Sequence, residues 1–357
     1  MRGKALVALM LIGAVLLAGR LCVSIPVTSD VKDLGDHLRD LFATRTRCLL
    51  AGDAGGLGGL YDTSVYSGEW ALEHEAGRVN YFAEWLRKRD IEIVSVDTSL
   101  SLVDAGLKGD SAWASACYNM ILGYRHSRSE AVCHLGVRTV HWIEVARKAG
   151  GWVIRKDWFW DPFGDGLFPG VPVTGHSPSS NRSLTVMSQG RYNREAAVRY
   201  ADRYCGVRTP VSDGRYNPGY RDFSAAGGDC ANFASQVLSD KSAGGIPVDG
   251  AWFYASGKGT EAWLRADAFA YHIVGSGRGV VIKKGKYHAV VSATSELQPG
   301  DIIAYERKGT IEHVSIVTGR DACGYVLVNS HTADRYHVPW DLGLGENDTV
   351  WLIHIVA

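Results

Sequence analysis

The 357-residue chain has no net charge, no paired-cysteine spacing and few prolines. Lys plus Arg and Asp plus Glu each number 38. A balanced chain has no global attraction to nucleic acid or to an acidic surface. Its seven cysteines, Cys22, Cys48, Cys117, Cys133, Cys205, Cys230 and Cys323, include no CxxC and form no regular framework. That excludes a zinc-ribbon site and a disulfide-stapled miniprotein. Cys117 with Cys133 and Cys205 with Cys323 are the conceivable pairings. His272, His288 and His337 lack metal-ligand spacing, so no metal or cofactor is expected. GSGRG (275–279) lacks the strand, helix and Lys-Ser/Thr of a phosphate cradle. Asn181 and Asn347 match the glycosylation acceptor pattern, which arises readily by chance.

One long apolar run is present, and it is N-terminal. Arg2 and Lys4 precede an uncharged stretch from Ala5 to Gly19. A basic segment followed by an apolar one reads as an export signal. Continuation through Val23 leaves a retained anchor open. Leu21 before Cys22 argues against a lipoprotein site. Residues 1–29 are therefore read as signal peptide or membrane anchor, the chain's expected membrane contact. The rest is expected to be extracytoplasmic, secreted or tethered.

The length and the 46% hydrophobic content suit two globular domains. Leu34, Leu38, Leu41 and Phe42 mark a helix closing at Gly52, and a second helix covers Trp70 to Arg87. Alternating patterns near 91–106, 111–124, 139–151 and 152–160 then predict four strands. Helices followed by antiparallel strands give an α+β unit over 30–163, which resembles the cystatin-like or nuclear-transport-factor-like cone fold. The resemblance implies no activity. Residues 164–191 are rich in Gly, Pro and Ser and read as a linker. A second unit, 192–357, opens with a helix capped by Asn193.

The second unit carries the chemistry. In GGDCANFASQ (227–236), Gly227 and Gly228 supply an entry turn, Asp229 an N-cap, and Cys230 the first helical turn. Unsatisfied N–H groups and the helix dipole there favour a thiolate and can hold an oxyanion. A base must come from elsewhere. Strands starting near Asp301, His313 and Tyr325 place His313 at a strand start. Asn329 and His331, two apart, share a face that can sit beside His313. A Cys230–His313–(His331 or Asn329) constellation follows, the third group orienting the imidazole. Each feature also has a plain alternative: a buried structural cysteine, a surface histidine at a strand end, and a strand terminus turning into a loop.

DCANFASQ, PGDIIAY, HVSIVTG and NSHT, with YNREAAVRYADRY and RYNPGY, resemble the bacterial putative amidase domain. That family belongs to the papain-like NlpC and cysteine-histidine amidohydrolase/peptidase group. The resemblance runs from about Tyr192 to the C-terminus, departing at Ala231 and Ala234. It implies Cys230 as nucleophile, His313 as general base and His331 as third member, with Asn329 as rival. It also implies a second oxyanion donor among Tyr216, Asn217 and Tyr220. The implied fold is a papain-like domain with its nucleophile helix packed on an antiparallel sheet. The implied activity is cysteine-dependent amide hydrolysis, with a peptide or peptidoglycan-like amide as substrate. An inactive cell-surface binding or adhesion module and an acyltransferase are the alternatives. Trp252, with Tyr254 and Trp263, lines a substrate groove or belongs to the core.

Overall fold

The computed structural model describes residues 29–148, 151–163 and 192–356. The export segment and the 164–191 linker read from the sequence lie outside the described residues. Two helices come first, α1 (Ser29–Ala51) and α2 (Tyr66–Arg89). Leu34, Leu38, Leu41 and Phe42 are buried as their spacing requires. Helix α2 ends at Asp90, a left-handed residue whose backbone N–H donates to the last-turn carbonyls of Leu86 and Arg87. Four antiparallel strands follow: β1 (Ile91–Lys108), β2 (Ser111–His126), β3 (Cys133–Lys148) and β4 (Gly151–Trp158). Their inner faces close with both helices around one core that includes Phe82, Trp85, Tyr124 and Ile154.

The second unit begins with α3 (Arg194–Tyr204), where the Asn193 side chain accepts from the Ala196 amide at 3.0 Å. Helix α4 (Cys230–Ser239) is buried along nearly its whole length, and α5 (Ala266–Gly275) packs beside it. Six strands complete the chain: β5 (Gly279–Gly285), β6 (Ile302–Arg307), β7 (Thr310–Arg320), β8 (Val326–Ser330), β9 (Asp334–Pro339) and β10 (Thr349–Ile355). Phe233 and Val237 of α4 pack on Ile302, Val314 and Ile316 of one sheet face. Ile303, Val317 and Val328 line the other face with Trp340.

The strands of the two units join. The sheet runs β1-β2-β3-β9-β8-β7-β6-β10-β5, and β4 pairs with β3 off this path. Gly136, Val137 and Arg138 of β3 pair antiparallel with Tyr336, Arg335 and Asp334 of β9, while Trp142–Lys148 pair with β4. One strand thus serves both units. Trp252 is fully buried and its Nε1 donates to Ser235 Oγ at 2.8 Å, so it is core rather than a groove wall. Cys117 pairs with Val140 and Cys133 with Tyr124, so the first conceivable disulfide is separated along the sheet. The six described cysteines, Cys205 and Cys323 included, are all free.

Arg89 at the end of α2 pairs with Asp341 after β9, and both are buried. Removing one partner of such a pair strands the other. Asp341→Ala is expected to cost about 3–5 kcal/mol in urea unfolding, whereas the double change Arg89→Met/Asp341→Leu costs far less. A single change costing under about 1 kcal/mol contradicts this coupling of the units.

Candidate active site

The turn before α4 has the conformation that its glycines allow. Gly227 and Gly228 have φ of +118° and +130°, values that side chains other than glycine's rarely tolerate. Asp229 occupies the N-cap position, yet its side chain does not cap. Its Oδ1 accepts from the Phe223 amide at 2.8 Å and from Asn232 Nδ2 at 2.9 Å. Its Oδ2 accepts from His331 Nδ1 at 2.6 Å, and its own amide donates to Thr332 Oγ1 at 2.5 Å. The first-turn amides are left for the sulfur: those of Cys230 and Ala231, joined by the β7 amide of Val314, approach the Cys230 thiol.

These amides favour a thiolate, but burial opposes them and is larger. Burial, reinforced by the nearby Asp229 carboxylate, pushes the Cys230 thiol up to about 11. The expectation that a helix start alone yields a thiolate is therefore corrected. The dipole acts on a sulfur from which water has been removed, and among the described residues no cation acts on it to compensate.

Strand parity decides where the histidines face. Val314 and Ile316 point toward α4. His313, one residue before, points to the other face, where its ring lies 5.7 Å from Tyr305. Asn329 pairs directly with Ile316 and so shares the α4 face. The expected neighbourhood of His313 with Asn329 and His331 is thus not formed, because the register places them on opposite faces. His313 Nε2 is buried without a hydrogen-bond partner. Burial, then the positive charges of Arg335 and Arg307, push the imidazole down to about 3. It is a neutral ring at physiological pH.

His331 is fully buried between Tyr216, at 3.6 Å and 11°, and Phe233, at 4.0 Å and 19° between ring centroids and planes. Its Nε2 donates to the Tyr204 carbonyl at 2.6 Å. Both nitrogens are committed, so His331 orients Asp229 and not His313. Asn329 Nδ2 donates to Asp202, and its Oδ1 accepts from the His337 amide. The proposed oxyanion donors are committed too. Tyr216 donates to Asp334 at 2.6 Å, Asn217 Nδ2 to Tyr200 at 2.7 Å, and Tyr220 to Asp240 at 2.8 Å. Sequence reasoning missed Asp229's triple role, Thr332 and Arg335; only the NSHT match pointed near Thr332.

His313 faces a cavity of about 160 Å³, lined among others by Trp160, Tyr305, Thr332, Arg335 and Leu342. Trp160 comes from the first unit. Thr332 links the cavity to the α4 entry through the Asp229 amide. Among the described residues no group of His, Cys, Asp and Glu is arranged to hold a metal.

Residues 191–354 match the family model of the putative amidase domain. The uncharacterized protein YhbB of Bacillus subtilis (strain 168) is 29% identical over 183 residues, 49% of this chain. The chain spans about half of that curated relative, 52% of its length. Among solved structures, a putative dehydratase of the NTF2-like family from Streptomyces avermitilis overlaps 36% of this chain and 95% of its own. It has 14% identity and a TM-score of 0.26. A putative calcium/calmodulin dependent protein kinase II association domain from Xanthomonas campestris overlaps 40% and 94%, with 14% identity and a TM-score of 0.22.

With the Cys230 thiol at about 11, its thiolate fraction near pH 7.4 is roughly two orders of magnitude below that of a free thiol. Iodoacetamide labelling of Cys230, followed by peptide mass analysis, is expected to be correspondingly slow and to accelerate toward pH 11. An inflection below that of a free thiol contradicts the burial argument.

Proposed function

We propose that residues 191–354, which belong to the putative amidase domain family, hydrolyse an amide bond through a thioester on Cys230. The observation that carries this reading is the cysteine at the first turn of α4, with the Cys230, Ala231 and Val314 amides converging on its sulfur. Amides that converge on a nucleophile also surround the oxygen that becomes negative when the nucleophile adds to a carbonyl. His313, held neutral, is the base of this scheme. It adjoins Val314, whose amide meets the sulfur, and its free Nε2 can accept a proton.

In the proposed cycle His313 takes the thiol proton as sulfur adds to the carbonyl. It then delivers that proton to the departing amine as the carbon–nitrogen bond breaks. Water hydrolyses the thioester, its proton passing through the same imidazole to the leaving thiolate. In the resting state no hydrogen bond joins thiol and imidazole among the described residues, and His313 lies on the sheet face away from α4. The scheme therefore requires the start of β7 to turn His313 toward the sulfur when substrate enters. Catalytic contacts commonly tighten only on binding. The papain-like character of the fold, export, and a cell-wall peptide as substrate are parts of the same proposal. Export is supported by the apolar run after Lys4. No helix among the described residues is long and apolar enough to cross a membrane.

A second reading, a binding module without turnover, is favoured by the raised thiol and the separated imidazole. Digestion of purified peptidoglycan and of simple peptides, with mass analysis of the products, separates the two. Cys230→Ala is expected to abolish cleavage and His313→Gln to lower it by about 10²–10⁴-fold. Cleavage surviving in Cys230→Ala would overturn the mechanism. Added amines that divert the acyl group would reveal transfer in place of hydrolysis.

The pH profile gives an independent check. An imidazole titrating near 3 stays a base throughout the mildly acidic range. The acid limb of kcat/KM, which reports the free enzyme, is expected well below pH 5 and not near the ordinary imidazole value of about 6.5. A limb at the ordinary value would show a solvated base, contrary to the buried Nε2 of His313.

A further inference from the structure

We propose that Arg335 and the cavity beside His313 form a binding site for a carboxylate group, carried by the substrate near the amide bond it presents to Cys230. The link to substrate rests on the amidase reading; the carboxylate site itself does not.

Among the described residues, buried guanidinium groups have carboxylate partners, with one exception. Arg45 pairs with Glu75 and Asp157, Arg78 with Glu75 and Asp161, and Arg89 with Asp341. Arg335 is 6% exposed and pairs with no carboxylate among the described residues. Its Nη2 donates to the Pro162 carbonyl, and its Nε has no partner. A buried cation without a counter-charge is costly unless something supplies one. Arg335 lines the cavity of about 160 Å³ together with Trp160 and Leu342. A space of that size has room for a carboxylate and further atoms of its carrier.

The nearby charges leave the position open. Arg307 of β6 is held by Asp348 through two contacts of 3.1 Å. Asp161 Oδ2 is held by Arg78 at 2.9 Å. Glu312 of β7 is half-exposed and leans toward Arg307 at 3.8 Å. Arg335 offers the fork geometry that receives a carboxylate with two parallel bonds.

Occupancy would also tune the base. Arg335 and Arg307 are the charges that depress His313, and Tyr305, Glu312, Asp161 and Asp348 complete the titratable groups around the cavity. An anion on Arg335 offsets its positive field. His313 then binds a proton more readily just when substrate is present.

The test uses the full-length Cys230→Ala protein, which binds without turnover. Isothermal titration compares an N-acetyl dipeptide with a free C-terminal carboxylate and the same dipeptide amidated. The acid is expected to bind about 10-fold tighter or more, the scale of a charge-assisted hydrogen bond. Adding Arg335→Gln should erase that preference, and Arg335→Lys should retain part of it, with thermal melts confirming that each variant is folded. A His313 ring resonance should also titrate at higher pH with the acid bound. Equal binding of acid and amide, no binding of either, or a preference that survives Arg335→Gln overturns the proposal. Such a failure alongside Cys230-dependent cleavage leaves the amidase reading standing. Carboxylate binding without any cleavage by the unmodified protein overturns only the amidase reading.

Discussion

Asp229 spends both carboxylate oxygens inside the protein, and the arrangement around Cys230 depends on where they go. One oxygen fixes the Phe223 amide and the Asn232 side chain, which sets the turn and the helix at 2.8 and 2.9 Å. The other receives His331 at 2.6 Å. A capping Asp would have satisfied the first-turn amides instead. Because this one turns away, those amides remain for the sulfur and for whatever oxygen forms beside it.

The same network extends into the first unit. Tyr216 stacks on His331 and donates to Asp334, which pairs with Arg138 of β3 at 3.1 Å. Arg138 Nη1 also donates to the Gly206 and Gly214 carbonyls. The β3–β9 pairing holds Asp334 and Arg335 opposite Arg138 and Val137. Alternation along β9 then points the two neighbours to different sides: Asp334 toward the Asp229 network, Arg335 toward the His313 cavity. The first unit is thus structurally continuous with the candidate site, and it adds Trp160 to the cavity wall.

Features encoded locally were legible in the sequence. The helix periodicity of Leu34, Leu38 and Leu41, the Asn193 cap and the Gly227–Gly228 turn all follow from neighbouring residues. Cys230 at the head of its helix belongs to the same class. What depends on register was not legible. Whether His313 faces α4 turns on its parity relative to Ile316 and on which residue Asn329 meets across the strands, and pairing partners are not written in either strand alone. The β3–β9 seam joins residues about 200 positions apart, so no local pattern announces it. Asp229 reads as a cap by its residue type, and only the fold reveals that its oxygens go elsewhere. Arg335 carries no signal at all, since an arginine's burial is decided by what covers it.

Cys230 stands between two opposed requirements. Excluding water strengthens the amides that would hold an oxyanion, since their fields are less screened in a dry site. The same exclusion raises the thiol and lowers the imidazole, so the resting pair is neutral on both sides. A neutral pair is protected from adventitious alkylation and oxidation, whose target is the thiolate. Reaction then requires that proton transfer accompany attack, which in turn requires the imidazole to reach the sulfur. In the proposed scheme substrate supplies both conditions: a carbonyl over the α4 amides and an anion that relieves the positive field on His313. In that scheme burial makes chemistry at Cys230 conditional on an occupant of the cavity that His313 and Thr332 line; with no such occupant the same burial leaves a site that binds without turnover.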